Sequence, residues 1–132
     1  FLGNNYSSWK GSVDAKNKKK LINQYKFIFI IENSSEYNGY ITDKIFETFF
    51  SETIPIYLGP NNINSHIPDN CFINLKNFKN FDELYNFLNS IDEEKYNNYL
   101  YNIRNFLNSE KCNIYKTNEL NKNLFRVINL FN

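Results

Sequence analysis

The stretch that decides the fold is YKFIFIIENSSEYNGYITDKIFETFFSETIPIYLGP, residues 25–60. Its first apolar run, Phe27–Ile31, is rich in β-branched and aromatic residues and predicts a strand buried on both faces of a parallel sheet. Thr42 is a natural helix cap, and Ile54–Gly59 predicts a second short strand. A strand, a helix and a strand in this order form a βαβ unit, in which both strands run the same way and the crossover is right-handed.

The predicted core comes from both strands and from one stripe of the helix. Apolar residues recur along the helix at helical spacing, at Ile45, Phe46, Phe49 and Phe50. Pro55 stands at the start of the second strand, where its missing N–H is tolerated. The expected core residues are Phe27, Ile28, Phe29, Ile30, Ile31, Phe46, Phe49, Phe50, Ile56 and Leu58.

Later segments predict a third strand and further helices. A short helix is expected up to Gln24, and Cys71–Leu75 predicts the third strand. Asn80 and Ser90 are each followed three residues later by Glu, which is a capping signal for two more helices. A final helix carries an apolar stripe that needs a partner to pack against, formed by Leu120, Leu124, Ile128 and Phe131.

The composition is typical of one ordered domain without a strong overall charge. The chain has 132 residues, 42% of them hydrophobic and 18% aromatic, which is enough for one core. Because 15 basic residues balance 14 acidic ones, no nucleic acid partner is expected. Cys71 and Cys112 lack the CxxC spacing of a zinc site. No apolar run is long enough to span a membrane, and the start at Phe1 indicates a piece of a longer protein.

Polar residues follow the first strand and surround the helix start, so the parallel topology gathers them at the carboxyl edge of the sheet. They are Glu32, Asn33, Ser34, Tyr40, Thr42, Asp43 and Lys44. Lys44 stands in the first helical turn, where the dipole opposes a cation by about 0.3–1 kcal/mol. Such a residue fits an anion site, above all one for phosphate, although an ordinary solvated lysine is the alternative interpretation. The group suits a nucleotide sugar, with the diphosphate on Lys44 and the helix amides.

Other common sites lack their motifs. Neither GxGxxG nor GxxxxGK[ST] occurs, which argues against the usual nicotinamide site and against a P-loop. No DxD motif or histidine cluster is present, so no metal site is expected. His66 stands alone in a polar loop and is interpreted as structural or exposed. The GxSxG elbow of serine hydrolases is also absent.

Several motifs carry a family resemblance. YKF at Tyr25–Phe27 precedes ENS at Glu32–Ser34, and YITDK at Tyr40–Lys44 precedes IPIYLGP at Ile54–Pro60. In this order they resemble the donor-binding signature of the α1,3/4-fucosyltransferases, whose pattern is YKF, E-N-[ST], Y-[IV]-T-E-K and P-[IV]-x-x-G. The resemblance covers residues 25–107, and several spaced motifs together are far more specific than any one of them.

The resemblance implies a GT-B glycosyltransferase made of two Rossmann-like halves, with this chain as most of the C-terminal half. The expected fold class is α/β, a Rossmann-like parallel sheet with flanking helices. The family transfers L-fucose from GDP-fucose to a hydroxyl of N-acetylglucosamine or glucose with inversion, and neither a DxD-bound metal nor another cofactor is expected. It assigns Lys44 to the diphosphate and Asp43 to the ribose. Asp43 replaces the family's glutamate and, being one methylene shorter, needs a shifted backbone or a water to reach the ribose.

The resemblance also implies what this sequence does not supply. In the family the general base is a carboxylate of the N-terminal acceptor half, and a basic residue upstream of the first strand helps to neutralise the phosphates. The fragment is therefore expected to bind the donor without completing catalysis. In the parent enzyme an acceptor hydroxyl attacks the anomeric carbon while GDP leaves from the opposite face, and Lys44 stabilises charge growing on the β-phosphate.

Three segments are expected: an opening loop and short helix at 1–24, the GDP-sugar-binding domain at 25–112, and a helix at 113–132 that packs across to the missing half. Two alternatives stay open, a non-catalytic nucleotide-sugar-binding half-domain and a GT-B transferase that uses another GDP-sugar.

The expected partners are GDP-fucose and, through the N-terminal half, a glycan acceptor. Peripheral membrane association of the full-length protein is a further expectation. The location would be the cytoplasm or membrane periphery in a bacterium or virus, and the Golgi membrane in a eukaryote.

Overall fold

The computed structural model describes residues 15–116 of the chain. Within them, three strands are present, β1 at Phe27–Ile31, β2 at Ile54–Leu58 and β3 at Ile73–Asn74. The α-helices of this part are α1 Ala15–Ile22, α2 Asp43–Phe50, α3 Ile63–His66, α4 Phe81–Asn89, α5 Glu93–Leu107 and α6 Glu110–Asn113. Single 3₁₀ turns at Asp69–Cys71 and Leu75–Asn77 flank β3.

The strands form one parallel sheet in the order β1-β2-β3. Phe29 pairs with Ile56, and Ile56 pairs in turn with Ile73. The predicted parallel pairing of the first two strands is therefore confirmed. Pro55 lies in the central strand, but its pairing partner is Ile28 of β1, while the ladder to β3 begins one residue later. This position is compatible with the missing N–H of proline.

The core lies where the helices cover the sheet. Apolar residues of both layers are almost completely buried, among them Ile45, Phe49, Ile54, Ile56, Ile63, Ile67, Phe72 and Ile103. Phe49 of α2 meets Phe106 of α5 edge to face, with ring centroids 6.2 Å apart. This contact joins the βαβ unit to the long helix that follows it. Of the residues expected in the core, Ile30, Phe49 and Ile56 are buried, and others such as Ile28 and Phe46 pack half-buried against the same cluster.

The expectation that β1 is buried on both faces is wrong. Phe29 and Ile31 are 47% and 54% exposed, whereas Ile30 on the opposite face is buried. β1 is an edge strand of the described sheet, and Phe27, Phe29 and Ile31 share one face because side chains alternate along a strand. The ring of Tyr96 from α5 covers Phe27. Farther along this face, Phe29 and Ile31 keep about half of their surface open.

Phe50 is also not a core residue, since 58% of its surface is exposed. The buried positions of α2 are Ile45, Thr48 and Phe49, and Phe50 is rotated about 100° from Phe49 around the helix. Thr48 is tolerated inside because its hydroxyl donates to the carbonyl of Lys44 at 2.9 Å. The buried stripe of α2 thus includes Thr48, which the sequence pattern did not predict, and excludes Phe50, which it did.

The downstream elements agree with the sequence except at one helix start. The Asn80 side chain caps α4 by accepting from the amide of Glu83 at 2.9 Å. The cap of α5 is Asp92, which accepts from the amide of Lys95, while Ser90 ends α4 and donates to the carbonyl of Phe87. Asp92 is a better cap for α5 than Ser90, because a carboxylate at the cap also interacts favourably with the helix dipole. The third strand is shorter than expected.

Two expectations lie outside the described residues. They are the final helix with its apolar stripe at Leu120, Leu124, Ile128 and Phe131, and the opening loop before Ala15. Within residues 15–116, none of the helices has both the length and the apolar character needed to cross a bilayer.

Candidate functional site

The predicted site residues lie at the carboxyl edge of the sheet. Glu32 follows β1 directly, and its amide donates to the carbonyl of Leu58 at the end of β2, at 2.9 Å. Thr42 comes just before α2. Because β1 and β2 are parallel, the end of β1 and the start of the following helix meet at the same edge. Within the described residues the strand order contains no reversal, so the crevice of a topological switch point is not formed by these three strands alone.

Glu32 is at the centre of this edge, and its side chain is completely buried. One carboxylate oxygen accepts from the backbone amide of Thr42 at 3.0 Å and from the hydroxyl of Tyr57 at 3.1 Å. The other accepts from the hydroxyl of Thr42 at 2.8 Å. A buried carboxylate needs such partners to offset its lost hydration. In this structure Glu32 binds the protein's own groups, and its contact with the donor stays a prediction.

Thr42 occupies the cap position of α2, as predicted, yet its side chain does not cap the helix. Its hydroxyl donates to Glu32 and accepts from none of the first-turn amides. The first amides of any helix have no partner within the helix, and here the cap residue leaves them open. The start of α2 therefore leaves the amides of Asp43 and Lys44 without a side-chain acceptor from Thr42, whereas Ile45 is buried.

The ammonium group of Lys44 lies over the end of β1. Its Nζ atom is 3.3 Å from the carbonyl oxygen of Ile31 and 3.7 Å from a carboxylate oxygen of Glu32. The side chain of Lys44 keeps 40% of its surface exposed. One face of the ammonium group is thus held by the protein while the rest faces solvent beside the open helix start.

The remaining predicted residues surround this cluster. Asn33, Tyr40 and Asp43 are exposed, and Asp43 is the first residue of α2. Ser34 is half-buried, and its hydroxyl accepts from the amide of Glu36 at 3.3 Å, which stabilises the turn after β1. The structure therefore joins Glu32, Thr42 and Lys44 by direct contacts and leaves the other predicted residues at the solvent side of the same edge.

Sequence reasoning missed Tyr57. Its ring is buried in β2, and its hydroxyl donates to Glu32. Burial, followed by the charge of Glu32 and its hydrogen bond, raises the pKa of Tyr57 far above the ordinary value, so that it stays a donor. The available signal was a tyrosine within the apolar run IPIYL, since a buried hydroxyl calls for a polar partner. Gly59 makes room for the ring, because a Cβ atom there would lie 2.4 Å from it.

A second network fixes the loop between β1 and α2. The Nδ1 atom of His66 lies 2.8 Å from the hydroxyl of Tyr115, and its Nε2 atom lies 3.3 Å from the amide nitrogen of Asn62. The Asn62 side chain in turn accepts from the backbone amide of Gly39 at 2.9 Å. Gly39 has φ +77°, a conformation that favours glycine. His66 therefore has the structural role that the sequence suggested.

Two cavities of similar size differ in their relation to this edge. One of about 390 Å³ lies under β3 and α4, with Asn64, Phe78 and Tyr99 among its walls. Another of about 380 Å³ begins at Thr42 and Asp43 and continues along the apolar flank of α2. Only the second adjoins the open helix start. No cluster of three or more His, Cys, Asp or Glu side chains suited to a metal ion occurs in residues 15–116.

Comparison with known proteins gives the family. The profile described as "Glycosyltransferase family 10 (fucosyltransferase) C-term" matches residues 2–128. The Helicobacter pylori protein "Alpha-(1,3)-fucosyltransferase FucT" is 40% identical over 82 residues, which are 62% of this chain and 17% of that protein. Mouse "4-galactosyl-N-acetylglucosaminide 3-alpha-L-fucosyltransferase 9" is 35% identical over 83 residues, which are 61% of this chain and 23% of that protein.

Solved structures agree with the sequence match. A crystal structure of an α1,3-fucosyltransferase with GDP-fucose is 36% identical and superposes with a TM-score of 0.59, over 71% of this chain and 29% of that one. A crystal structure with GDP is 38% identical, with a TM-score of 0.58, over 64% of this chain and 25% of that one. The chain thus spans less than a third of each of these relatives. These structural neighbours have the GT-B fold. The chain belongs to glycosyltransferase family 10, the fucosyltransferases, and corresponds to the C-terminal part of that family.

Proposed function

We propose that this chain is the donor-binding domain of an α1,3-fucosyltransferase and that it binds GDP-fucose. The observation that carries the proposal is the open first turn of α2, whose cap residue Thr42 is turned toward Glu32 while Lys44 stands beside it. Free helix amides together with a cation are a strong site for phosphate. Membership of the fucosyltransferase family, and the relatives solved with GDP and with GDP-fucose, support the choice of ligand.

In this proposal the diphosphate lies against the first turn of α2 and against the ammonium group of Lys44. Asp43, exposed at the first helical position, contacts the ribose directly or through a water. Asn33, Ser34 and Tyr40 line the approach from the loop after β1. Glu32 supports the site from beneath, in keeping with its burial.

The proposed reaction is the transfer of L-fucose with inversion to a hydroxyl of N-acetylglucosamine or glucose in a glycan. An acceptor hydroxyl attacks the anomeric carbon as GDP departs from the opposite face. Negative charge grows on the β-phosphate, and Lys44 with the amides of α2 stabilises it. The general base is proposed to be a carboxylate of the acceptor half, so the chain alone binds the donor without turning it over. Peripheral membrane association of the full-length protein and its compartment stay predictions.

Titration calorimetry of the chain with GDP-fucose, GDP-mannose, GDP and guanosine tests the donor assignment. We expect all three diphosphates to bind and guanosine to bind much more weakly, since only the diphosphates use the helix start. Binding of GDP-mannose at least as tight as that of GDP-fucose would favour a transferase for another GDP-sugar. Equal affinity for GDP and guanosine would contradict the proposed phosphate site.

A transfer assay with the full-length protein separates an enzyme from a binding module. With GDP-fucose and a glycan acceptor ending in N-acetylglucosamine, we expect a fucosylated product of inverted configuration. Donor binding without any transfer over a range of acceptors would instead support the non-catalytic half-domain.

A further inference from the structure

We infer that Glu32 is a positioning residue that keeps the first turn of α2 open for the diphosphate, and that Tyr57 orients it for this task. The inference rests on the proposed function, because it assigns a role within that same phosphate site. It differs from the sequence expectation, in which Glu32 was one of the residues that bind the donor. The starting observation is that the side chain of Glu32 has no exposed surface although it lies at the edge of the sheet.

Thr42 links Glu32 to the helix start. Both its amide and its hydroxyl donate to the carboxylate, at 3.0 Å and 2.8 Å. A threonine at a cap position ordinarily accepts from an amide of the first turn. By holding this hydroxyl, Glu32 fixes the Thr42 side chain in an orientation in which its oxygen accepts from none of the first-turn amides. The amides of α2 then remain available to an anion from solution.

Tyr57 fixes the direction of the carboxylate. Its hydroxyl donates to the oxygen that also receives the Thr42 amide, at 3.1 Å. The second oxygen is then directed toward the Thr42 hydroxyl and toward Lys44, whose Nζ atom is 3.7 Å away. The close approach of Gly59 to the Tyr57 ring sets the position of that ring. One buried pair thus controls both the helix start and the resting place of the cation.

The charge of Glu32 also repels a diphosphate, and this effect opposes the positioning effect. The ammonium group of Lys44, whose Nζ atom lies 3.7 Å from a Glu32 oxygen, offsets part of this charge on the side that faces solvent. A re-formed cap at Thr42, by contrast, would occupy an amide that binds phosphate directly. Positioning therefore outweighs repulsion, and removal of the charge is expected to weaken diphosphate binding.

The test measures GDP, inorganic pyrophosphate and guanosine binding to Glu32→Gln and Tyr57→Phe by calorimetry, with thermal melts to check folding. We expect Glu32→Gln to bind GDP and pyrophosphate about tenfold more weakly, which corresponds to one charge-assisted hydrogen bond. Guanosine affinity should not change. Tyr57→Phe keeps every charge and should show a smaller loss in the same two ligands. Glu52→Gln is the control that removes a glutamate charge away from the site, because Glu52 lies before β2, at the amino end of the strands, and pairs there with Arg104.

A double variant isolates the cap. Thr42→Val has no hydroxyl with which to re-cap α2, so adding it to Glu32→Gln should restore part of the pyrophosphate affinity. Tighter diphosphate binding by Glu32→Gln, or an unchanged affinity in folded Glu32→Gln and Tyr57→Phe, would overturn the inference. Should the unaltered chain bind GDP no better than guanosine, the proposed phosphate site itself fails, and the inference with it. If Glu32→Gln does not fold, Tyr57→Phe provides the test through the NMR chemical shifts of the backbone amides of residues 43–45. Shift changes on adding pyrophosphate that equal those of the unaltered chain would overturn the inference.

Discussion

Lys44 puts a positive charge in the first turn of α2, where the helix dipole opposes it. Lys95 stands in the first turn of α5 as well, and there Asp92 caps the helix. A lysine near a helix start is therefore not by itself a sign of a ligand. Lys44 differs because its helix start is open and because the buried carboxylate of Glu32 lies 3.7 Å from its Nζ atom.

Replacement of Lys44 by alanine tests its role directly. We expect Lys44→Ala to weaken GDP binding by about tenfold to a hundredfold, since a charge-assisted hydrogen bond contributes about 1.5–3 kcal/mol. Guanosine, which carries no phosphate, should bind as before. Titration calorimetry measures both, with Lys95→Ala as the control that removes a first-turn lysine from a capped helix.

The same variant should keep most of its stability. Alanine relieves the dipole and favours the helix, and the buried carboxylate of Glu32 keeps its hydrogen bonds from Thr42 and Tyr57 when Lys44 is removed. Denaturant unfolding checks this part of the prediction. If Lys44→Ala weakens the binding of GDP and guanosine equally, or causes a large loss of stability, Lys44 has a purely structural role.

At the scale of elements, α2 shows how a local pattern and the tertiary packing differ. Ile45, Thr48 and Phe49 face the sheet and α5, and Phe50 points away from them. The sequence pattern cannot rank Phe49 and Phe50, because both are large and apolar and are adjacent. Only the rotation of α2 on the sheet separates them.

This difference predicts unequal costs of truncation. Phe49→Ala should lower the free energy of unfolding by about 3–5 kcal/mol, since it leaves a cavity between α2 and α5. Phe50→Ala should cost less than about 1 kcal/mol, because 58% of its surface is already exposed. Urea denaturation of the two variants provides the comparison. Similar losses for both would mean that Phe50 is covered in solution.

For the molecule as a whole, the two cysteines report on the integrity of the core. Cys71 and Cys112 are both free and buried. Burial, with the nearby Asp69, raises the pKa of Cys71 to about 12. Burial also raises the pKa of Cys112, although Lys116 acts in the opposite direction. Both thiols are thus shielded and protonated in the folded state.

We expect neither thiol to react quickly with a thiol reagent at pH 8 in the native chain. The thiolate is the reactive form, and with a pKa of about 12 only about one in ten thousand Cys71 side chains is a thiolate at that pH. Both should react at once in denaturant. With a disulfide reagent that releases a coloured thiol, absorbance follows labelling in the native chain and in denaturant. Rapid labelling of Cys71 in the native chain would contradict its burial.

Tyr57 makes the stability of the whole fold sensitive to high pH. Its pKa is raised in the folded state, so its contribution is complete below about pH 10, where an unfolded tyrosine is still protonated. Above that pH the unfolded chain loses the proton first, and stability falls by about 1.4 kcal/mol per pH unit for this group. Tyr57→Phe should lack this part of the alkaline loss. If the free energy of unfolding falls equally with pH from about pH 9 to 11 in the unaltered chain and in Tyr57→Phe, the prediction is contradicted.

The sequence by itself determined the features that depend on neighbouring residues. The strand at Phe27–Ile31, the cap position of Thr42 and the parallel βαβ unit follow from periodicity and local preferences, and the structure confirms them. The motifs along residues 25–60 also indicated the fucosyltransferase family, because several spaced motifs seldom occur together by chance.

Only the tertiary structure decided which side chains turn inward. Glu32 meets Thr42 and Tyr57, which are 10 and 25 residues away along the chain, so no local pattern reveals that its carboxylate is enclosed. The exposed face of β1 likewise depends on how far α5 reaches across the sheet, as its contact with Phe27 shows. Burial is a property of contacts between distant segments, and it is these contacts that enclose the carboxylate of Glu32.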